Sequence, residues 1–109
     1  MSGYEQVAAR SLGLCEKCGA ARGEQMHHRQ ARGMGGSKIR NGADNLLHLC
    51  EPCHRWVEAH PAAAYESGWK VRRGLEPADT PVIYRGSITW LTPTGLLDWQ
   101  DKEKEGTPS

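Results

Sequence analysis

The sequence predicts a small α+β fold that depends on cysteine side chains as well as on an apolar core. The chain has 109 residues, of which 38% are hydrophobic, and it contains no Phe. Domains of this size bury a limited apolar surface, and many are stabilised by disulfides or bound metal. Four Cys and five His are available for that purpose. Short helical and strand patterns also alternate along the chain, which favours a mixed fold.

The first half of the chain predicts one helix and two strands. Residues 3–11 have the apolar spacing of a short N-terminal helix. A glycine-rich stretch follows, with a short strand expected near Gln25 to Arg29. The apolar run from Leu46 to Cys50 is bounded by turn residues and predicts a second strand.

A second helix is expected directly after that strand. Glu51 and Pro52 suit its first turn, and it must end by His60, because Pro61 disfavours helical geometry in the residue before it. Short β-prone stretches then follow at 69–71, 81–85 and 87–91. The sequence therefore predicts a core over residues 1–62, a small β-containing extension over 63–100 packed on that core, and a disordered tail over 101–109.

Charge and hydropathy exclude several classes of protein. Lys and Arg number 14 and Asp and Glu number 13, so the chain is not a polycationic nucleic-acid coat. The longest apolar run, Ala62 to Tyr65, is far too short to span a membrane. The N-terminus lacks the pattern of a signal peptide, and a cytoplasmic location is expected. In a reducing cytoplasm, cysteines are expected to be metal ligands rather than disulfides.

The cysteines form two CxxC pairs, Cys15 with Cys18 and Cys50 with Cys53. Two intervening residues let both sulfurs of a pair point at one ion, and two such pairs complete a tetrahedral structural zinc site. A redox pair and chance spacing are the alternatives, but a redox CxxC belongs to a larger α/β fold. The 31 residues at 19–49 exceed the usual zinc-ribbon insert, which indicates that they carry the function.

The residues around these pairs resemble a known family. The segments that carry the resemblance, in addition to the cysteines, are His27-His28-Arg29, Gly35-Gly36, Asn45-Leu46-Leu47 and His54. Over about residues 12–60 they are similar to the zinc-knuckle branch of the HNH endonucleases, whose core is a ββα-metal motif. The layout of the whole chain is most similar to the small HNH proteins of actinobacterial phages.

The resemblance implies a role for each polar residue. His27 and His54 would be ligands of a catalytic divalent ion, His28 the general base, and Asn45 the residue that orients the base. Glu58 stands four residues after His54, on the same helix face, where many family members have His. A carboxylate there would favour Mg²⁺ or Mn²⁺, with Ni²⁺ or Zn²⁺ as further candidates.

These roles have alternatives. Glu58 could be a solvated helix residue, and Asn45 could form a turn with Asp44. His48 is interpreted as a surface or structural residue, and His60 lies off the helix face shared by His54 and Glu58.

A basic stretch accompanies the proposed site. From residue 22 to residue 40 there are five basic residues and one acidic residue, a net charge of +4 in a chain of net charge +1. Sequence-independent contact with DNA phosphates is the expected use, with a solvated loop as the alternative. The residues predicted to bind DNA are Arg29, Arg32, Lys38 and Arg40.

The resulting hypothesis is a metal-dependent DNA endonuclease of low sequence specificity that nicks DNA or cuts both strands. By the resemblance it would be phage-encoded, act in the host cytoplasm, and have a terminase or portal protein as a further partner during DNA packaging. The alternative is a zinc-stabilised module that binds DNA or terminase without cleavage. That alternative explains the cysteines but gives His28 no role.

Overall fold

A computed structural model describes residues 2–31 and 42–99 of the chain. Over these residues the protein is a small α+β domain with three α-helices and two small antiparallel sheets, which confirms the predicted fold class. Short 3₁₀ turns precede β2 and β3. In chain order the elements are α1 (Gly3–Ser11), β1 (Gln25–His28), β2 (Leu46–Leu49), α2 (Glu51–Ala59), α3 (Pro61–Ser67), β3 (Val82–Tyr84), β4 (Ser87–Leu91) and β5 (Leu97–Trp99).

Helix α1 covers the residues that the sequence predicts. Its N-terminus has a reciprocal cap: Ser2 Oγ accepts from the Glu5 N–H at 3.1 Å, and Glu5 Oε1 accepts from the Ser2 N–H at 2.9 Å. Such caps stabilise a helix by about 1 kcal/mol. The helix ends at Ser11, and the capping residue Leu12 after it adopts the left-handed conformation with φ 58°.

Strands β1 and β2 form the sheet that supports α2. They pair antiparallel, with Gln25 opposite Leu49 and His28 opposite Leu46. Because side chains alternate across a strand, His27 is buried whereas His28 is half-buried. Helix α2 begins directly after Cys50, and it packs on β1.

The region after α2 differs from the prediction in three places. Helix α3 starts at Pro61, so the predicted boundary between residues 62 and 63 falls inside a helix. Residues 69–71 are a turn rather than a strand, because Trp69 and Lys70 both donate their N–H groups to the Ala64 carbonyl as the chain leaves α3. Strand β5 was not predicted, and it completes a three-stranded sheet in the order β3-β4-β5.

One buried cluster joins the two halves of the chain. Its residues come from the first cysteine pair, β2, α2, α3 and the three-stranded sheet, namely Cys15, Leu47, Leu49, Cys50, Val57, Ala64, Val82, Tyr84 and Leu91. A second, smaller cluster packs α1 against β2 through Val7, Ala43 and Leu46. The C-terminal half thus shares a core with the cysteine pairs. The predicted tail at 101–109 lies outside the described residues.

Helices long and apolar enough to cross a membrane are absent from residues 2–31 and 42–99.

Candidate metal centres

The four cysteines meet at one point. The Sγ atoms of Cys15, Cys18, Cys50 and Cys53 all lie within 4.8 Å of one another, and the Cys18 and Cys50 sulfurs are 4.0 Å apart. Two ligands of a tetrahedral zinc site with bonds of about 2.3 Å lie about 3.8 Å apart. The cysteines are free rather than disulfide-bonded. This cluster could therefore hold a structural metal such as zinc.

Backbone N–H groups surround the first cysteine pair. Lys17 and Cys18 both donate their N–H groups to Cys15 Sγ at 3.4 Å. Hydrogen bonds from the backbone of Ala20 and Ala21 lower the pKa of the Cys18 thiol to about 6. Burial raises the pKa of Cys53 on the opposite side of the cluster. A bound cation would instead lower the pKa of Cys53, because metal ligation requires the thiolate.

A buried carboxylate fixes the first pair to the rest of the domain. Glu16 is fully buried, and Arg10 donates to it through Nε at 2.7 Å and Nη2 at 2.9 Å. The His48 N–H and the Tyr84 hydroxyl donate to the same carboxylate at 2.8 and 2.6 Å. Glu16 thereby links α1, β2 and β3 to the turn between two metal ligands. This role was not predicted from the sequence. The feature that could have indicated it is the position of a charged residue between the two cysteines of a CxxC pair.

The second cluster lies where β1 meets α2. The ligand atoms of His27, His54 and Glu58 lie within 4.8 Å of one another. Glu58 Oε2 is 3.5 Å from His27 Nδ1 and 3.8 Å from His54 Nε2. His54 and Glu58 share a face of α2 because they are four residues apart, and the strand contributes His27 from opposite them. The structure thus brings together the two histidines that the resemblance implies as ligands of a divalent ion and Glu58, which the spacing on α2 adds to them.

His27 has one ring nitrogen in use and one directed at the cluster. Its Nε2 lies 2.8 Å from the Trp69 carbonyl, which can only accept, so Nε2 carries the proton. Burial lowers the pKa of His27 to about 4, so the ring is neutral at pH 7 and Nδ1 has a lone pair. This lone pair faces the carboxylate oxygen Oε2 of Glu58, and a cation between the two atoms would remove the repulsion between them. The donor set therefore fits a divalent ion.

Exposure increases across this cluster from the sheet to the solvent. The side chain of His27 is 3% exposed, that of His54 is 31% exposed and that of Glu58 is 51% exposed. One side of the cluster is thus closed by protein and the other is open to solvent. Lys70 borders the open side, with Nζ 3.4 Å from Glu58 Oε1.

His28 and Asn45 have different environments. His28 is half-buried, and the ring of Tyr4 from α1 lies edge-on to it at 6.5 Å between centroids. Asn45 is fully buried and holds the end of β1: its Oδ1 accepts from the Gln30 N–H at 2.8 Å, and its Nδ2 donates to the Gln30 carbonyl at 3.1 Å. Asn45 thus positions the backbone that follows His28.

The prediction that Arg29 binds DNA is wrong, because this residue is an interior structural residue. It is 2% exposed, and its guanidinium donates to four carbonyls at 2.7–3.1 Å. Burial lowers its pKa to about 10, which still leaves it charged at neutral pH. The four accepting residues are Asp44, Gly68, Pro77 and Thr80. The other residues predicted to bind DNA, Arg32, Lys38 and Arg40, lie outside the described residues.

The remaining histidines are structural or peripheral. His48 Nδ1 lies 3.0 Å from Ser11 Oγ, which joins β2 to the end of α1. His60 is exposed and stacks on Trp56 at 4.2 Å between ring centroids.

Comparison with known proteins gives no match to a family model, to a curated protein or to a solved structure. The functional proposal therefore depends on the geometry of the two clusters.

Proposed function

We propose that this protein is a metal-dependent DNA endonuclease whose active site is the His27, His54 and Glu58 cluster, with His28, the next residue of β1, as the general base. The observation that carries the proposal is the position of His27 Nδ1, 3.5 Å from Glu58 Oε2, with the other ring nitrogen held by a carbonyl. This arrangement suits a cation-binding site, and its open side suits a substrate that cannot enter a closed pocket.

The arrangement of β1, β2 and α2 supports the same proposal. An antiparallel strand pair followed by a helix, with a ligand from the first strand and two from the helix, is the pattern of the ββα-metal motif that the sequence resembles. The two cysteine pairs flank this unit in the sequence, because one pair precedes β1 and the other lies at the start of α2, and they meet in one cluster. Structural metal there would hold strand and helix at a fixed separation.

The proposed chemistry gives each of these residues a role. A divalent ion held by His27, His54 and Glu58 would supply positive charge to the scissile phosphate and to the departing oxygen. His28 accepts a proton from the attacking water, whose oxygen forms a bond to phosphorus. The bond from phosphorus to the 3′ oxygen breaks, and that oxygen takes a proton from solvent. The products are a 5′-phosphate and a 3′-hydroxyl.

Cleavage of supercoiled plasmid tests this proposal. We expect Mg²⁺- or Mn²⁺-dependent nicking or linearisation by the wild type, loss of cutting in EDTA, and loss of cutting in His28→Ala. His60→Ala is the matched control, since it removes an exposed imidazole outside the cluster and should retain activity. Both variants should keep the wild-type zinc content and circular dichroism spectrum.

Two results would contradict this proposal, the first in the role of His28 and the second in the nuclease activity itself. Equal activity of His28→Ala and wild type would show that His28 is not the general base. A folded, zinc-loaded wild type that binds plasmid but does not cut it with any of these metals would favour the DNA-binding module instead. A terminase or portal partner remains a proposal from the resemblance, and binding to the purified phage protein would test it.

A further inference from the structure

The turn at residues 68–71 is held firmly against the His27, His54 and Glu58 cluster. Gly68 has φ 80°, and a Cβ at this position would lie 2.0 Å from the Pro81 carbonyl oxygen. Trp69 and Lys70 donate their N–H groups to the Ala64 carbonyl at 2.9 and 3.1 Å. Val71 donates to the Arg29 carbonyl at 2.9 Å, which joins the end of the turn to the end of β1. The turn therefore has a fixed position relative to the strand that carries His27.

Two consecutive residues of this turn contact two different members of the cluster. The Trp69 carbonyl accepts the proton of His27 Nε2, and Lys70 Nζ lies 3.4 Å from Glu58 Oε1. The Lys70 side chain is 20% exposed, so its ammonium is partly withdrawn from water but still borders the open side of the cluster. A cation so placed has two effects: it repels a metal ion bound next to it, and it attracts an anion.

We propose that Lys70 contacts the DNA phosphate at this site, pairing with Glu58 until a divalent ion takes over the carboxylate. This inference rests on the proposed function, because it assigns DNA as the anion. Once Glu58 neutralises a divalent cation, its interaction with Lys70 weakens and the ammonium needs another anionic partner. A phosphodiester bound at the open side supplies one, and its negative charge offsets the repulsion between Lys70 and the ion.

Two other basic side chains of this region have different partners. Arg29 is buried with its guanidinium on carbonyls, and Lys17 Nζ lies over the rings of Trp56 and Trp69 at 4.6 and 4.3 Å. Among the Lys and Arg residues within 2–31 and 42–99, Lys70 is the one that forms an ion pair with a member of the cluster. The C-terminal half of the chain thus contributes to the site as well as to the core.

The first test measures metal affinity without DNA. Zinc-loaded protein is titrated with Mn²⁺ by calorimetry, comparing wild type with Lys70→Met, Lys70→Arg and Arg73→Met. Lys70→Met should bind Mn²⁺ about three- to tenfold more tightly, because a partly screened ammonium no longer competes for Glu58. Lys70→Arg should match the wild type. Arg73→Met, which removes the same charge from an exposed position three residues away, should also match it.

The second test measures DNA affinity in the His28→Ala background with Mn²⁺ present, at several salt concentrations. Adding Lys70→Met should weaken binding and reduce the slope of log K against log salt by about 0.9, the value for one lost phosphate contact on duplex DNA. Lys70→Arg should restore the slope. An unchanged slope in Lys70→Met would overturn the proposal, and so would an unchanged Mn²⁺ affinity.

The outcomes separate this inference from the nuclease. If the wild type fails to cut plasmid but Lys70→Met shows both effects, Lys70 is a phosphate contact of a DNA-binding module. If the wild type cuts and Lys70→Met shows neither effect, the nuclease stands and the role of Lys70 is wrong.

Discussion

Replacing Glu16 with Gln tests whether the buried ion pair holds the first cysteine pair in place. The substitution keeps the size of the side chain and removes its charge. The carboxylate currently accepts four hydrogen bonds, from Arg10 Nε, Arg10 Nη2, the His48 N–H and the Tyr84 hydroxyl. A Gln amide places an NH₂ group where one of these acceptors was, so at least one donor loses its partner.

The expected loss of stability follows from burial. The side chains of Arg10 and Glu16 are 2% and 0% exposed, so the guanidinium remains buried beside a neutral group. Breaking a buried pair by removing one partner destabilises proteins by about 3–5 kcal/mol. The guanidinium still donates to the carbonyls of Ala43 and Leu46, which favours the lower end, about 3 kcal/mol. Small domains have a total stability of about 5–15 kcal/mol, so this is a large fraction.

Urea unfolding at fixed zinc concentration, followed by circular dichroism, measures this loss. Glu24→Gln is the control, because it makes the same chemical change at an exposed residue and should alter the unfolding free energy by less than about 0.5 kcal/mol. Combining Glu16→Gln with Arg10→Met should cost less than the sum of the two single changes, since it leaves neither charge unpaired. A loss below about 1 kcal/mol for Glu16→Gln alone would refute the reasoning.

Three further predictions concern the cysteine cluster, a glycine and a tyrosine. Cys50→Ser should lower the unfolding free energy by about 3 kcal/mol or more and reduce the bound zinc measured by mass spectrometry, because zinc ligation contributes to folding directly; a stable variant without zinc would contradict the site. Gly68→Ala should lower the melting temperature much more than Gly74→Ala does. Both glycines have positive φ, but of the two only Gly68 has neighbouring backbone atoms where a Cβ would lie. Equal losses in the two variants would refute the clash. Burial raises the pKa of Tyr84, so the phenol loses its proton at a lower pH in the unfolded state than in the folded state. Urea unfolding should therefore show stability falling above about pH 10 in the wild type and falling less in Tyr84→Phe. Identical pH profiles of the two proteins would contradict this.

Local signals predicted the elements that carry the proposed ligands. Pro52 and Pro61 mark the beginning and end of α2, and this fixes which residues share a face of that helix. Since His54 and Glu58 are four residues apart inside those limits, their proximity followed from spacing alone. The alternation of side chains along a strand likewise accounts for the buried position of His27 and the half-buried position of His28.

The shell around those ligands could not be predicted in this way. Residues 69–71 have the composition of a strand, but the left-handed Gly68 turns the chain so that two N–H groups return to the Ala64 carbonyl. The contacts of Trp69 and Lys70 with the cluster depend on that turn. They join residues 42 and 12 positions apart in sequence, a separation that periodicity does not address.

Arg29 is the position at which composition gave the wrong prediction. Its sequence neighbours make it part of a basic stretch, and a basic stretch is usually solvated or bound to an anion. Its guanidinium instead donates to four carbonyls from three separate parts of the chain, which meet only when both halves of the domain have folded. A buried arginine of this kind links the end of β1 to the turn at 68–71, since Gly68 is one of the acceptors. The residue predicted to bind the substrate therefore maintains the geometry of the site: it holds the turn from which Lys70 reaches Glu58.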